Sequence, residues 1–121
     1  MNRRLRGKVS YLAGLAAEES VARRYGASGH RVAARRWRGT AGEIDLILRK
    51  GTELIFVEVK QSSNFARAAE HVTRRQMERV YTAASEFLVG EPGGMDTPSR
   101  FDVALVDGAG RIDILENAYA A

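Results

Sequence analysis

The chain has no cysteine, which excludes disulfides, thiolate nucleophiles and cysteine-ligated metals and leaves a reducing compartment open to it. It has only two histidines, His30 and His71. They stand too far apart for ligand spacing and read as surface or loop residues. The glycines show no GxGxxG or phosphate-loop lysine pattern, so no nucleotide-cradling loop is expected. No apolar run approaches the ~20 residues of a membrane span. Arg3, Arg4, Arg6 and Lys8, followed by the apolar stretch from Val9 to Ala17, imitate a secretory signal. That stretch contains Ser10, Tyr11 and Gly14, however, and it continues into Glu18 and Glu19 with its helical period unbroken. The expectation is a cytoplasmic protein with no membrane partner.

Lysine is scarce as well, with three against sixteen arginines, and the formal net charge is +4. Arginine's planar fork suits phosphate oxygens better than lysine's point charge does. The arginines cluster at Arg3, Arg4 and Arg6, at Arg23 and Arg24, at Arg31, Arg35, Arg36 and Arg38, and at Arg74, Arg75 and Arg79. If these clusters share a face they form basic patches. The length of 121 residues, with 45% hydrophobic and 28% charged, suits one folded domain spanning 1–121.

Helical spacing of Leu15, Ala22 and Tyr25, with Leu12 and Val21 alongside, predicts a helix over Ser10 to Tyr25 that stops at Gly26, Ser28 and Gly29. His30 to Arg38 alternates as an edge strand. Residues 42–60, GEIDLILRKGTELIFVEVK, read as a hairpin about Lys50-Gly51. Ile44, Leu46 and Leu48 are expected on one core face, opposite Ile55, Val57 and Val59 of the second strand. Ser62 to Glu70 reads as a loop. Thr73, three residues before Gln76, opens a second helix as in a capping box. That helix runs through Met77, Val80, Tyr81, Ala84 and Leu88 to Gly90. A flexible connection from Glu91 to Ser99 holds both prolines. Phe101, Val103 and Leu105 then alternate in a strand, and Ile112 and Ile114 begin the last one. Asp102 is expected to pair with Arg100, and Trp37 to pack as a core or edge residue.

Asp45 and Glu58 carry the chemistry of interest. Directly opposed residues of an antiparallel hairpin have a constant index sum, and these two sum to an odd number. A two-residue loop at Lys50-Gly51 makes them diagonal neighbours at ~7 Å, and a four-residue loop from Lys50 to Glu53 sets them opposite at ~5 Å. Both registers put the carboxylates on one face, with Lys60 two residues beyond Glu58. A hard divalent ion takes such oxygen ligands. A solvated strand end with alternating charges would show the same spacing.

Asp45, twelve intervening residues and Glu58-Val59-Lys60 resemble the D...ExK signature of the restriction-endonuclease-like PD-(D/E)XK superfamily. Gly14-x-x-x-Glu18, GEIDLI from Gly42, FVEVK from Phe56, Ala83-Ala84, RFDV from Arg100 and Glu116-Asn117-Ala118 widen the likeness. Together they resemble the YraN-like family, uncharacterised protein family 0102, and the signature is similar to that of archaeal Holliday junction resolvases. The resemblance implies an α/β fold with a mixed central sheet flanked by helices on both faces. It implies a catalytic set of Glu18, Asp45, Glu58 and Lys60, with Mg²⁺ or Mn²⁺ held by Asp45, Glu58 and the Val59 carbonyl. Glu18 also lies on the helical stripe that faces the sheet.

Three positions depart from the family pattern: Ser62 where arginine is usual, Ala66 where glycine is usual and Gln76 where lysine is usual. Arg67, Arg74 and Arg75 are candidate replacements for the two missing cations at a nucleic-acid surface. The implied function is metal-dependent hydrolysis of DNA phosphodiesters, with a homodimer suited to cutting two strands. Two alternatives stand beside it: a nucleic-acid-binding module whose catalysis has decayed, and an interaction protein binding an acidic partner.

Overall fold

The computed structural model describes residues 2–118. A long helix α1 (Arg3–Gly26) leads into strands β1 (Arg31–Arg38), β2 (Glu43–Lys50) and β3 (Glu53–Gln61). A short helix α2 (Phe65–Glu70), a helix α3 (Arg74–Val89), and strands β4 (Ser99–Val106) and β5 (Ile112–Leu115) complete the order. The five strands form one sheet in sequential order. β3 and β4 run parallel, joined by the crossover through α2 and α3, and the other neighbours are antiparallel.

Both faces of the sheet are covered. Leu46 and Leu48 of β2, Ile55 and Val57 of β3, and Ala104 and Val106 of β4 pack under Ala17, Val21, Ala22 and Tyr25 of α1. On the other face Ile47, Leu54, Phe56, Val103 and Leu105 meet Ala68 of α2 and Val80, Ala83, Ala84 and Leu88 of α3. This double coverage makes both central strands nearly continuous apolar runs instead of alternating ones. The fold class is therefore the expected one, a mixed α/β sheet between helices.

Several elements differ from the sequence reading in instructive ways. α1 begins at Arg3 instead of Ser10, with the Asn2 side chain accepting a hydrogen bond from the Leu5 amide at 2.8 Å. Its first turns are exposed, so they carry no core-facing period for a pattern to detect, and Leu12, expected beside the buried stripe, is exposed. The predicted loop over 62–70 holds α2, capped by Asn64. A helix of six residues is too short for periodicity to show.

Ile44 was expected on the face of Leu46 and Leu48 but packs in the α3-side cluster. Strict alternation fails at Asp45, just beyond the last regular pair of the hairpin, Leu46↔Val57. The connection expected to be flexible contains a 3₁₀ turn at Gly94–Asp96. An Arg49 to Glu91 ion pair at 2.7 Å ties it to the sheet.

Asp102 is wholly buried and does pair with Arg100, at 3.1 Å. It also accepts from the Tyr25 hydroxyl at 2.6 Å and the Asn117 amide at 2.9 Å, joining α1, β4 and the chain beyond β5. Burial, followed by the hydrogen bond to Asp102 and its charge, pushes the Tyr25 phenol up and keeps it a neutral donor. Asp102→Ala would strand the buried Tyr25 hydroxyl and take an acceptor from the partly buried Arg100 guanidinium and Asn117 amide, and we expect a loss of about 3 kcal/mol in urea unfolding. Tyr25→Phe, which removes one donor and leaves the others satisfied, should lose about 1 kcal/mol.

Candidate active site

β2 and β3 pair from Lys50↔Glu53 to Leu46↔Val57. The index sum of 103 is the register that sets Asp45 opposite Glu58, with Gly51 and Thr52 forming the turn and Gly51 in the left-handed region at φ +61°. The recorded ladder stops at Leu46↔Val57, whereas β3 continues along β4 to Gln61↔Val106. The two central strands thus part at Asp45 and Glu58. Asp45 Oδ2 accepts the Val59 amide at 2.8 Å, so a side chain satisfies a donor beyond the regular ladder.

Glu58 is 5% exposed. Its Oε1 accepts from Gln76 Nε2 at 3.2 Å and lies 3.7 Å from Lys60 Nζ. Its Oε2 is buried without a hydrogen-bond partner among the described residues. Burial, then the Asp45 charge and a hydrogen bond to Asp45, push the Glu58 carboxyl up to about 9, against the opposing pull of Lys60. A buried acid beside a second carboxylate is poorly served as an anion by Lys60 alone, and a further cation would favour its charged form. Gln76 uses its side chain here, so only half of the expected capping box forms: Thr73 accepts from the Gln76 amide at 3.2 Å.

Asp45, Glu58, Val59, Lys60, Gln76 and Arg79 line one cleft of about 380 Å³ on the α3 side of the sheet. Of the residues singled out from sequence, Asp45, Glu58, Val59 and Lys60 are brought together. Glu18 lines a separate, smaller cavity on the α1 side and bonds Arg36 Nε at 3.1 Å. Burial raises the Glu18 carboxyl, the Arg36 hydrogen bond lowers it and the Asp45 charge raises it further. Arg36 itself sits in the left-handed region at φ +47°. Arg74 and Arg75 begin α3 and Arg67 lies in α2, all exposed and outside the cleft lining.

Sequence reasoning passed over Arg79 as a site residue. The available signal was its place three residues after Gln76, one turn along the same helical side. A Cβ on Gly42 would lie 3.5 Å from the Arg79 Cβ, an ordinary van der Waals contact, so Gly42 and the Arg79 stem are packed side by side on the cleft wall.

A mixed five-stranded sheet between helices is the architecture of a restriction-endonuclease-like fold. Residues 17–106 match Uncharacterised protein family UPF0102, and the chain belongs to that family. A UPF0102 protein of Cereibacter sphaeroides is 65% identical over 115 residues, covering 95% of this chain and 98% of the relative. One from Ruegeria pomeroyi is 60% identical over 114 residues, covering 94% and 93%. Another, from Dinoroseobacter shibae, is 45% identical over 115 residues, covering 95% and 86%. No helix among the described residues is long and apolar enough to cross a membrane.

Proposed function

We propose that this protein is a metal-dependent phosphodiesterase acting on DNA. The observation that carries the reading is the unpartnered buried Oε2 of Glu58 beside Asp45. A buried carboxylate oxygen left without a partner gains nothing for stability, since its burial is costly. The residues fit Mg²⁺ or Mn²⁺, which would be held by Asp45, Glu58 and the Val59 carbonyl. No cluster of three or more acidic, histidine or cysteine side chains stands ready for a metal among the described residues. That suits Mg²⁺, which binds through one or two carboxylates and fills its other positions with water and substrate phosphate.

When bound, the ion supplies charge to a phosphate and acidifies a water. The chain's own groups do the rest. Lys60 orients the attacking water and stabilises charge next to Glu58. Gln76 fixes the Glu58 rotamer through Oε1, leaving Oε2 directed away from that bond. Arg79 provides a cation on the cleft wall, at the turn following Gln76, where the family pattern has lysine one turn earlier. Arg67, Arg74 and Arg75 add phosphate contacts outside the cleft. Cutting both strands of a duplex calls for two sites, and hence for a homodimer or sequential nicking.

The test is incubation with labelled duplex, single-stranded and four-way DNA, with Mg²⁺ or Mn²⁺ and with a chelator. Cleavage that requires metal and is lost in Asp45→Asn supports the reading. Binding without cleavage of any of the three forms overturns it in favour of a decayed nucleic-acid-binding module, and absence of both favours an acidic protein partner.

A further inference from the structure

The amino-terminal half of α1 projects beyond the sheet at the end where the site lies. Glu18 and Glu19 meet Arg36 and Arg35 near the Asp45 end. The Ser28 carbonyl instead accepts from Lys50 Nζ at the hairpin turn. The helix therefore runs from the site end toward the turn, and the residues before Glu18 extend past the site. From Arg3 to Glu18 this segment spans about 22 Å at 1.5 Å per residue. Residues 2–9, Tyr11 and Leu12 are exposed. Tyr11 holds the base of the segment to the sheet, with the Arg36 guanidinium 5.2 Å from its ring centre.

The charge of this arm is of one sign. No acidic residue precedes Glu18, while Arg3, Arg4, Arg6 and Lys8 fall within six positions. Arg35, Arg36, Arg38, Arg49, Arg100 and Arg111 are all matched with carboxylates. The four cations of the arm have no such match among the described residues. Arg3, Arg4 and Lys8 stand fourteen residues before Ala17, Glu18 and Ala22, which is close to four turns. They therefore continue the helix side that packs on the sheet farther along. That side is apolar over the sheet and basic beyond it.

We propose that the basic side of this arm is a second wall of the DNA site, gripping backbone phosphates that flank the one at Asp45 and Glu58. The proposal deepens the phosphodiesterase reading and rests on it for the position of the substrate. The basic start of α3, with Arg74, Arg75 and Arg79, lies on the opposite face of the sheet near the same end. A polyanion crossing the open end of the sheet meets cations from both faces. Leu5, Val9 and Leu12, spaced as a helical stripe and exposed, turn away from Arg3 and border Lys8, which stands one turn from both Leu5 and Leu12. A surface built around those apolar residues would serve self-association, and that is the competing outcome.

The experiment measures anisotropy of labelled duplex DNA in chelator, so that binding is separate from cleavage. Arg3→Gln/Arg4→Gln/Lys8→Gln should weaken affinity about tenfold or more and lower the slope of log affinity against log salt by about 2 to 3. Leu5→Gln/Val9→Gln/Leu12→Gln should bind as the unmodified protein does, with circular dichroism confirming that both variants fold. Unchanged affinity and salt slope in the charge variant overturn the arm's role, as does an equal loss in the apolar variant accompanied by a change in sedimentation. Cleavage with metal is scored separately. Arm-dependent binding without cleavage overturns the phosphodiesterase reading alone, and cleavage with arm-independent binding overturns the arm alone.

Discussion

Asp45→Asn is expected to lower metal-dependent DNA cleavage by about a hundredfold or more, the scale of losing one charge-stabilising contact in a transition state. DNA affinity in chelator should hold or rise slightly, because a negative charge facing phosphate has been removed. The fold should be unaffected, since the asparagine oxygen can still accept the Val59 amide that Asp45 holds at 2.8 Å. Asp45→Ala removes that acceptor too and should cost about 1 kcal/mol of stability in addition. The contrast separates a chemical role from a structural one. If Asp45→Asn cleaves as the unmodified protein does, the carboxylate pair is not the reacting centre; if both variants unfold alike, its role is structural.

The carboxylate pair was legible because parity governs a hairpin: every admissible even-length loop puts Asp45 and Glu58 on one face, and the observed sum of 103 is one of them. What parity could not reveal is that β2 and β3 part at these residues. Where they part, Asp45 accepts a main-chain amide and Ile44 packs in the α3-side core against strict alternation. A side chain replacing a ladder acceptor leaves no trace in a hydrophobic pattern.

The same limit explains the other differences. Asp102 was read as Arg100's partner from adjacency, but its bond to Tyr25 links residues 77 positions apart and only tertiary packing creates it. Glu18 was placed on the sheet-facing side correctly, yet a helical period says nothing about which sheet face receives the helix. α1 covers the face away from the cleft, and Arg36 takes the carboxylate there. Gln76 reads as a capping residue in sequence because spacing cannot distinguish a side chain that folds back from one that reaches across to Glu58.

Glu58→Gln is expected to change the stability of the protein with a sign that depends on pH and metal. The folded state raises the Glu58 carboxyl to about 9, well above the ordinary carboxylate range. A raised folded value means that the protonated form is the one the fold prefers. The stability this contributes is fully present below about pH 4, declines as pH rises above the unfolded value, and is lost as pH passes through about 9. Glutamine is neutral at every pH. Its oxygen can accept from Gln76 as Glu58 Oε1 does, and its amide can donate toward Asp45 where Oε2 has no partner. In chelator the variant should therefore match the unmodified protein near pH 4 and exceed it by on the order of a few kcal/mol near pH 8. Mg²⁺ or Mn²⁺ should narrow this advantage at pH 8. An ion that binds only the folded state stabilises it by RT ln(1 + [L]/Kd), about 2.7 kcal/mol at a hundred times Kd, and the variant should lose most of that gain. Urea melts at pH 4 and pH 8, with chelator and with millimolar metal, measure all four quantities. Equal gains from metal in both proteins would place the ion elsewhere, and a chelator-treated pair whose difference stays flat between the two pH values would remove the buried, proton-holding carboxyl on which the site is built.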